Sequence, residues 1–281
     1  MIRTAVLLTV YNRREVTLNG LRTLYKAIET LGDGYIFDVY MTDDGSTDGT
    51  GEAVSKEFPN VKITKGDGTL FWGGGMRKAW QSAIDSNIKY DYYMWYNDDS
   101  LLYENALQLI MNTNDKSDIY VGAFCDNRGV PSYGGKKRGK RVTPNGEWQE
   151  IELMNGNLVL IPRCVYESVG MIDKNFIHGE GDFDYGLRAR RNGYKVLLSK
   201  CFIGIAERHD EIIPKYCSRD KTFVERWKTL HNPMNSPFSH FKYNFKYNGK
   251  ISAFISFVIC YIGVFFPRYY TILKYRKIRH T

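Results

Sequence analysis

The sequence has few cysteines and no sign that they are paired. The 281-residue chain contains five cysteines, which are scattered and include no C-x-x-C pair. This argues against a disulfide framework and against a zinc site built from cysteine pairs, and it is typical of reduced thiols in the cytosol. The apolar run before Tyr11 is too short for a secretory signal peptide. We therefore expect a protein that stays on the cytoplasmic side.

Acidic residues are missing from the last part of the chain. No Asp or Glu follows Glu225, whereas residues 226–281 contain ten Lys or Arg. Of the 39 basic and 31 acidic residues in the whole chain, 29 basic and 31 acidic residues therefore lie in residues 1–225, a net charge of about −2. Residues 1–225 are thus nearly neutral and residues 226–281 are cationic, which predicts an anionic surface as a partner of the C-terminal part.

An apolar run long enough to span a membrane with certainty is also missing. Residues 251–266 form a run of 16 without a charge, a length between that of a buried core helix and that of a membrane span. Lysines, arginines and tyrosines border this run, which favours a helix lying in the membrane interface over a full span, and either over a core helix. We predict that residues 216–281 are a basic, aromatic, helical C-terminal extension, and that residues 241–281 attach it to an anionic membrane.

The first forty residues show the pattern strand, helix, strand. Apolar and β-branched residues predict strands at 4–10 and 35–42, and apolar residues at helical spacing predict a helix over 16–31. Such a βαβ unit implies parallel strands. Further strands are predicted at 61–64, 92–96, 119–124, 153–163, 195–198 and 202–206. The predicted fold class is α/β, with a mixed, mainly parallel sheet flanked by helices.

Pairs of carboxylates follow two of these predicted strands. Asp43 and Asp44 follow the second strand, and Asp98 and Asp99 follow the buried aromatic strand at 92–96. Open α/β sheets bind ligands at the carboxyl ends of their strands, and two adjacent negative charges there repel each other unless a cation joins them. The alternative is that these carboxylates only stabilise turns and cap helices. Asp43 or Asp44 could accept hydrogen bonds from a nucleobase or a ribose.

Three glycines, Gly73 to Gly75, precede a helix that is predicted to run to about Ser86. Glycines let a backbone approach a bulky ligand, a helix N-terminus favours anions, and Arg77 could reach a phosphate. The spacing matches neither a dinucleotide fingerprint nor a P-loop. A flexible connection is the alternative.

A second acidic cluster contains Glu180, Asp182 and Asp184 beside His178. Asp182 is predicted in the first turn of a helix that ends at Asn192. A carboxylate there is a common helix cap, but capping does not account for three acids within five residues, so we favour a functional role. His209 follows a predicted strand and could be a metal ligand or a structural histidine.

A basic cluster lies at 136–141, where five of six residues are Lys or Arg. It could be a solvated hairpin tip or it could contact a phosphorylated acceptor. The surrounding sequence has no interleaved aromatic pattern for base stacking, so nucleic acid is the weaker option and we expect no nucleic-acid partner.

With these motifs in order, residues 3–210 resemble the family 2 glycosyltransferases, which have the GT-A fold. The resemblance rests on four segments: 9–13 (TVYNR), 43–48 (DDGSTD), 97–99 (NDD) and 182–188 (DFDYGLR). The segment 70–77 (LFWGGGMR) is similar to the branch that includes rhamnosyltransferases of bacterial surface polysaccharides. The resemblance implies a GT-A catalytic domain over 1–215, with a nucleotide-sugar half over about 1–100 and an acceptor half over about 101–215.

The resemblance also implies a donor site and a metal. Its nucleotide and donor contacts would be Thr9, Tyr11, Asn12, Arg13, Asp43, Asp44, Trp72, Gly73, Gly74, Arg77, Asn97 and Asp98. The D-x-D motif of the family would be residues 97–99, and its first acid is replaced here by Asn97. The metal role therefore falls chiefly on Asp99, with Asp98 for the ribose or the ion and His209 as a further ligand. The expected ion is Mg²⁺ or Mn²⁺.

The family's catalytic base belongs to a Glu-Asp pair, and here Gly181 stands at the Glu position. Asp182 is therefore the leading base and Glu180 the reserve. Asn155, Gly156 and Asp184 are assigned to the acceptor side. The predicted enzyme is an inverting, metal-dependent hexosyltransferase at the inner face of the cytoplasmic membrane, which moves a sugar from a UDP- or dTDP-sugar to a saccharide or lipid-linked saccharide. The alternatives are a sugar-phosphate nucleotidyltransferase and a non-catalytic membrane-bound scaffold, and the oligomeric state stays open.

Overall fold

The structure is a computed structural model that describes residues 1–113, 116–208 and 214–270. The chain forms two compact units. The first consists of Met1–Asp173 and Gly181–Arg208, and the second of Lys174–Glu180 and His209–Thr281. The predicted division at residue 215, and that of residues 1–215 into a donor and an acceptor half, stay predictions.

The first unit is built on a nine-stranded mixed sheet, accompanied by a three-stranded sheet. The large sheet has the order β3-β2-β1-β4-β11-β6-β12-β5, with β9 paired to β12, and the small sheet has the order β10-β7-β8. The strands are β1 (Ile2–Val10), β2 (Tyr35–Asp43), β3 (Lys62–Lys65), β4 (Tyr92–Tyr96), β5 (Leu101–Leu102), β6 (Ile119–Cys125), β7 (Gly135–Lys137), β8 (Lys140–Arg141), β9 (Gln149–Glu150), β10 (Leu153–Met154), β11 (Leu158–Pro162) and β12 (Val196–Ile205).

The long strands of the large sheet run mainly in one direction, as predicted. The neighbours β3, β2, β1 and β4 pair in parallel, and β6 pairs in parallel with β12. β11 lies antiparallel between β4 and β6, so β6 has the direction of β4. The α/β fold class is confirmed, and the carboxyl ends of β1, β2 and β4 lie at one edge of the sheet.

The alternation of side chains along β1 explains the two layers of core. Val6, Leu8 and Val10 lie in one hydrophobic cluster, whereas Ala5 and Leu7 lie in the other. Successive strand residues point to opposite faces, so a central strand that is apolar at every position buries both faces. The helices of this unit are α1 (Arg14–Glu29), α2 (Thr50–Glu57), α3 (Phe71–Asp85), α4 (Ala106–Met111), α5 (Arg163–Val169) and α6 (Gly181–Arg191).

Helix α3 begins earlier than predicted. It starts at Phe71, so the three glycines lie inside its first turns rather than before it. Close packing explains Gly75, because a Cβ at this position would collide with the side chain of Thr9. The hydroxyl of Thr42 also donates to the carbonyl oxygen of Gly75 at 2.8 Å. Gly75 thus lets α3 pack onto the ends of β1 and β2.

The segment predicted as one strand at 153–163 is two strands with a loop between them. β10 belongs to the small sheet and β11 to the large one. The loop is held from both sides, since the Asn155 N–H donates to the Gly134 carbonyl at 2.7 Å and the Asn157 carbonyl accepts from the Asn97 N–H at 2.8 Å. Conversely, the strands predicted at 195–198 and 202–206 form a single strand, β12, whose register with β6 shifts between Leu198 and Gly204.

The second unit is helical, with α7 (Phe223–Leu230), α8 (Pro237–Tyr247) and α9 (Lys250–Phe265), and with short 3₁₀ helices at Lys215–Cys217 and Pro233–Asn235. Its small core consists of Tyr216, Cys217, Leu230, Cys260 and Val264. Gly249, at φ 86°, makes the tight turn between α8 and α9, where a side chain would be strained. Within the described ranges, no helix combines the length and the apolar character needed to cross a bilayer.

Candidate active site

The loops that follow β1 and β2 are bound to each other through Asn12. Its N–H donates to the Ser46 hydroxyl at 3.0 Å, and its Oδ1 accepts from the Thr47 N–H at 2.7 Å. Asn12 has φ 48°, a left-handed conformation that asparagine tolerates better than most residues. We refer to these three residues as the Asn12 clasp. Beside it, Tyr11 is 53% exposed and presents its ring to solvent.

The two carboxylates at the end of β2 are both buried, and they hold different parts of the backbone. Asp43 Oδ1 accepts from the Ser46 N–H at 2.9 Å. Asp44 accepts from three N–H groups, that of Gly68 at 3.0 Å, that of Leu70 at 3.0 Å and that of Phe71 at 2.9 Å. Asp44 therefore caps the start of α3 from another part of the chain. The nucleotide contact predicted for Asp44 stays a prediction, and it would share the carboxylate with these donors.

At the end of β4, the cation that joins the two carboxylates is a guanidinium. Arg13 Nη1 lies 2.9 Å from Asp98 Oδ1 and 3.4 Å from Asp99 Oδ2. The Thr17 hydroxyl donates to Asp98 Oδ2 at 2.6 Å, so both oxygens of Asp98 are engaged. Burial raises the pKa of the Asp98 carboxyl, and the attraction of Arg13 opposes this rise. Asp98 is 1% exposed, so it anchors the strand end within the fold.

Asp99 is placed differently from its neighbour. Its side chain is 28% exposed, and its Oδ1 is buried without a hydrogen-bond partner. A carboxylate oxygen of this kind suits a hard divalent cation, and Mg²⁺ is commonly held by one or two carboxylates together with substrate phosphates. In the described part of the chain, no group of three or more His, Cys, Asp or Glu side chains is arranged to hold a metal. His209 lies outside the described residues.

Four chain segments meet around the indole of Trp72, at the start of α3. Trp72 Nε1 donates to Asn97 Oδ1 at 2.8 Å, and its ring packs edge-on against Trp95 with centroids 5.6 Å apart. Gly156, in the loop between β10 and β11, lies against the same ring. A Cβ on Gly156 would stand 2.7 Å from Trp72 Cζ2 and 3.5 Å from Asp182 Cβ. The indole thus brings the end of β4 close to the start of α6.

Asp182 lies in the first turn of α6, as predicted. Its Oδ2 accepts from the Gly156 N–H at 3.1 Å, and its Oδ1 accepts from the Phe183 N–H at 2.8 Å. The two donors therefore engage both oxygens of this carboxylate at the start of the helix. Glu180 belongs to the second unit, where it forms an ion pair with His240, and this pair raises the pKa of His240.

The sequence profile of glycosyl transferase family 2 matches residues 5–168, more than half of the chain. The chain belongs to glycosyl transferase family 2. No curated protein sequence matches this family 2 glycosyltransferase. Among solved structures, residues 1–349 of TarS from S. aureus, in complex with UDP-GlcNAc, share 16% identity at a TM-score of 0.56, with 100% of this chain and 91% of that chain covered. This likeness shows the fold, which is GT-A-like.

A mannosyltransferase from Pyrobaculum calidifontis, PcManGT in complex with GDP-Man and Mn²⁺, matches with 15% identity and a TM-score of 0.49. That match covers 92% of the family 2 glycosyltransferase described here and 74% of PcManGT.

Other predicted site residues of this family 2 glycosyltransferase have structural partners. Asp184 has no exposed surface; it accepts from Arg188 Nε at 2.8 Å, and Arg188 donates in turn to the carbonyls of Val169 and Met171. Asp184 therefore connects α6, through Arg188, to the end of α5 and to Met171, and its assignment to the acceptor side stays a prediction. Arg77 lies in α3, with its Nη1 3.5 Å from the Asp173 carbonyl, and burial lowers its pKa.

Sequence reasoning missed Thr17 as a partner of Asp98. The available signal was a polar residue on a buried helix stripe, since Thr17, Leu21 and Leu24 share one face of α1 and all are buried. A threonine in such a stripe needs a partner for its hydroxyl. The role of Gly156 as the contact between Trp72 and Asp182 was equally missed, because it depends on tertiary packing that no local pattern reports.

Proposed function

We propose that this glycosyltransferase transfers a sugar from a nucleotide-diphosphate donor to a saccharide or lipid-linked saccharide, with inversion at the anomeric carbon. The observation that carries the proposal is the chain of contacts from Asn97 through Trp72 and Gly156 to Asp182. It sets a half-buried carboxylate beside the sheet edge where Asp99 presents an unpartnered oxygen. A proton acceptor and a donor-binding edge are the two parts that sugar transfer requires.

Asp182 is the proposed general base. As the acceptor hydroxyl attacks the anomeric carbon, its proton passes to one oxygen of Asp182, while the bond to the leaving diphosphate breaks. A single displacement of this kind inverts the anomeric configuration. The N–H of Gly156 holds the carboxylate in place, and the packing of Gly156 against Trp72 fixes that N–H. Glu180 stays the reserve base, although it already pairs with His240.

The leaving diphosphate carries negative charge that the site must stabilise. Arg77 and Arg13 supply positive charge, while the N–H groups of Leu70 and Phe71 at the start of α3 are already held by Asp44. Asp99 Oδ1 would hold Mg²⁺ or Mn²⁺ together with diphosphate oxygens, and the bound ion would supply neutralisation of the leaving group. Asp98 is the weaker ligand, because Arg13 and Thr17 already occupy both of its oxygens.

The nucleotide is proposed to lie over the ends of β1 and β2, where Thr9, Tyr11 and Asp43 are found. A UDP- or dTDP-sugar is the proposed donor, and TarS, which shares the fold, is described in complexes with UDP and UDP-GlcNAc. Rhamnose is a candidate sugar, and it rests on the sequence similarity of residues 70–77 alone. Synthesis of a cell-surface polysaccharide is the matching process.

We further propose peripheral attachment to the inner face of the cytoplasmic membrane through residues 241–281. In α9 the exposed apolar residues recur at helical spacing: Ile251 (79% exposed), Phe254 (64%), Ile255 (51%), Val258 (37%) and Ile259 (42%). Such a stripe beside cations suits a bilayer interface. Replacing Phe254 and Ile255 with serine should abolish sedimentation of the full chain with anionic vesicles, whereas sedimentation equal to wild type would refute the attachment.

The reaction is tested with Asp182→Asn and the matched control Asp33→Asn, which changes an exposed carboxylate in the turn before β2. A thermal-shift panel of nucleotide-sugars with Mg²⁺ or Mn²⁺ first identifies the donor. Asp182→Asn should retain that thermal shift and lose transfer by about 100-fold or more, while Asp33→Asn stays active. A transfer rate near that of the wild type in Asp182→Asn would show that Asp182 is not the base. An NMR spectrum of the product reports the anomeric configuration and so tests inversion.

The same reagents separate the alternatives. Formation of diphosphate from a sugar 1-phosphate and a nucleoside triphosphate would show a nucleotidyltransferase. The absence of both transfer and thermal shift with any nucleotide-sugar would show a non-catalytic scaffold.

A further inference from the structure

The strands β7 and β8 form a hairpin whose tip is basic and tightly constrained. Its two connecting residues are Arg138, at φ 51°, and Gly139, at φ 74°. Two successive positive φ angles are the mark of a type I′ turn, which matches the twist of the strands and holds a hairpin firmly. We refer to residues 135–141 as the basic hairpin. Its turn geometry fixes the backbone to which the cationic side chains are attached.

The register of the hairpin sets like charges opposite each other. Lys137 pairs with Lys140, and Lys136 pairs with Arg141. Side chains of directly opposed residues lie on the same face, with Cβ atoms roughly 5 Å apart, and like charges in that arrangement destabilise the pair. The hairpin therefore places two like-charge pairs next to each other at the surface, and Lys137 with Lys140 is the pair nearer the tip.

No carboxylate in the described ranges forms an ion pair with Lys137 or Lys140, and both side chains are exposed. Glu152, which directly precedes β10, accepts from the backbone N–H of Arg138 at 2.7 Å. Glu152 faces Lys137 in the register of β10 with β7 but forms no ion pair with it among the described residues, and its hydrogen bond to Arg138 stabilises the turn. An external anion that bridges the two ammonium groups would remove the repulsion.

The hairpin is attached to the side of the site where the base lies. β7 pairs with β10, which leads into the loop at Gly156. Lys136 Nζ also lies 5.8 Å from the centre of the Phe183 ring, next to Asp182. At about 3.3 Å per strand residue, the tip extends roughly 10 Å beyond Gly135. The basic hairpin is therefore connected, through β10 and the loop at Gly156, to the backbone that holds Asp182.

We propose that Lys137 and Lys140, with Arg138 between them, bind a phosphate group of the acceptor. This rests on the proposed function, in which Asp182 serves the acceptor. The acceptor is then a saccharide that carries a phosphate ester close to its accepting sugar. Residues 135–141 contain no apolar side chain, which favours an anion in solution over insertion into a bilayer. They also contain no aromatic residue for base stacking.

The test compares Lys137→Gln/Lys140→Gln with the control Lys56→Gln/Lys89→Gln, which has the same net charge and replaces exposed lysines elsewhere in the first unit. The full chain is titrated with inorganic phosphate, with glycerophosphoglycerol and with geranyl diphosphate, while saturating UDP and Mg²⁺ occupy the donor site. The hairpin variant should lose at least about tenfold in affinity for the esters, and the control should not. The difference in ester affinity between the wild type and the hairpin variant should also shrink as the salt concentration rises to about 1 M.

The two ester probes separate the sources of the phosphate. Preference for glycerophosphoglycerol indicates a phosphodiester in the acceptor chain, and preference for geranyl diphosphate indicates a lipid-linked diphosphate; either supports the proposal. Equal affinity in wild type and hairpin variant would overturn it. Loss of binding to phosphatidylglycerol vesicles or to a single-stranded oligonucleotide, with the ester affinities unchanged, would also overturn it. Failure of the proposed function is seen separately, as the absence of any thermal shift with nucleotide-sugars.

Discussion

Replacement of Gly156 with alanine should damage the site through the indole of Trp72. The new Cβ would stand 2.7 Å from Trp72 Cζ2 and 3.1 Å from Cη2. Carbon atoms pack at about 3.5 Å or more, so the ring would have to retreat by about 0.8 Å. The 2.8 Å hydrogen bond to Asn97 and the edge-on contact with Trp95 resist this movement. The backbone of Gly156 needs no left-handed angle, so the effect is steric.

The magnitude follows from this geometry. Overpacking of a well-packed region costs about 1–3 kcal/mol of unfolding free energy. A shift of about 1 Å at catalytic groups can lower a rate about 100-fold, and here the Gly156 N–H that holds Asp182 would move with the loop. We therefore expect Gly156→Ala to lose about 1–3 kcal/mol and to transfer sugar about 10- to 100-fold more slowly.

The assay combines urea unfolding of the full chain with release of nucleoside diphosphate from the donor. Gly34→Ala is the matched control, because no atom lies within 4 Å of its new Cβ and its backbone is not left-handed. The double variant Gly156→Ala/Trp72→Phe removes the colliding part of the ring and should regain stability relative to the sum of the single changes. Wild-type stability and rate in Gly156→Ala, or strict additivity in the double variant, would refute the reasoning.

Three further changes test two contacts of the first unit and one ion pair of the second. Thr17→Val removes the hydroxyl that donates to Asp98 and should cost about 1–3 kcal/mol in urea unfolding, while Thr17→Ser should not; equal losses would contradict this. Asp44→Asn weakens the cap on α3 and should cost a similar about 1–3 kcal/mol, and an unchanged unfolding midpoint would contradict it. The His240 pKa is raised above 6.5 by its hydrogen bond to Glu180, so this pair stabilises the fold fully below pH 6.5 and less as pH rises through the raised value. The difference in thermal midpoint between wild type and His240→Gln should shrink with rising pH, and a constant difference would remove the pair as its cause.

The fold class could be predicted because its signals are local and mutually consistent. The period of apolar residues gave β1, α1 and β2 within one or two residues, and a short βαβ unit then implies parallel pairing. The fold is confirmed, whereas the roles assigned to individual site residues stay predictions. What brings those residues together is contact between distant segments, and Arg13 meets Asp98 across 85 positions of sequence.

The errors in element boundaries have physical causes. The sequence from Leu153 to Pro162 is apolar enough to be one strand, but its two ends pair with different sheets, so the chain turns at Asn155 to Asn157. The glycines before Met76 were predicted to precede the helix, and glycine inside a helix costs about 1 kcal/mol each. Packing against Thr9 and the cap from Asp44 outweigh that cost, and neither is visible in the local pattern.

The Asn12 clasp has a consequence for ligand recognition. Since its hydrogen bonds to Ser46 and Thr47 join the loops after β1 and β2, these loops lose their conformational freedom when the chain folds rather than when a ligand arrives. A molecule that binds over these loops would meet a surface that is already ordered, and its affinity would not be reduced by the entropy of loop closure. Its association rate would then be set by diffusion and orientation, without a slow rearrangement of either loop.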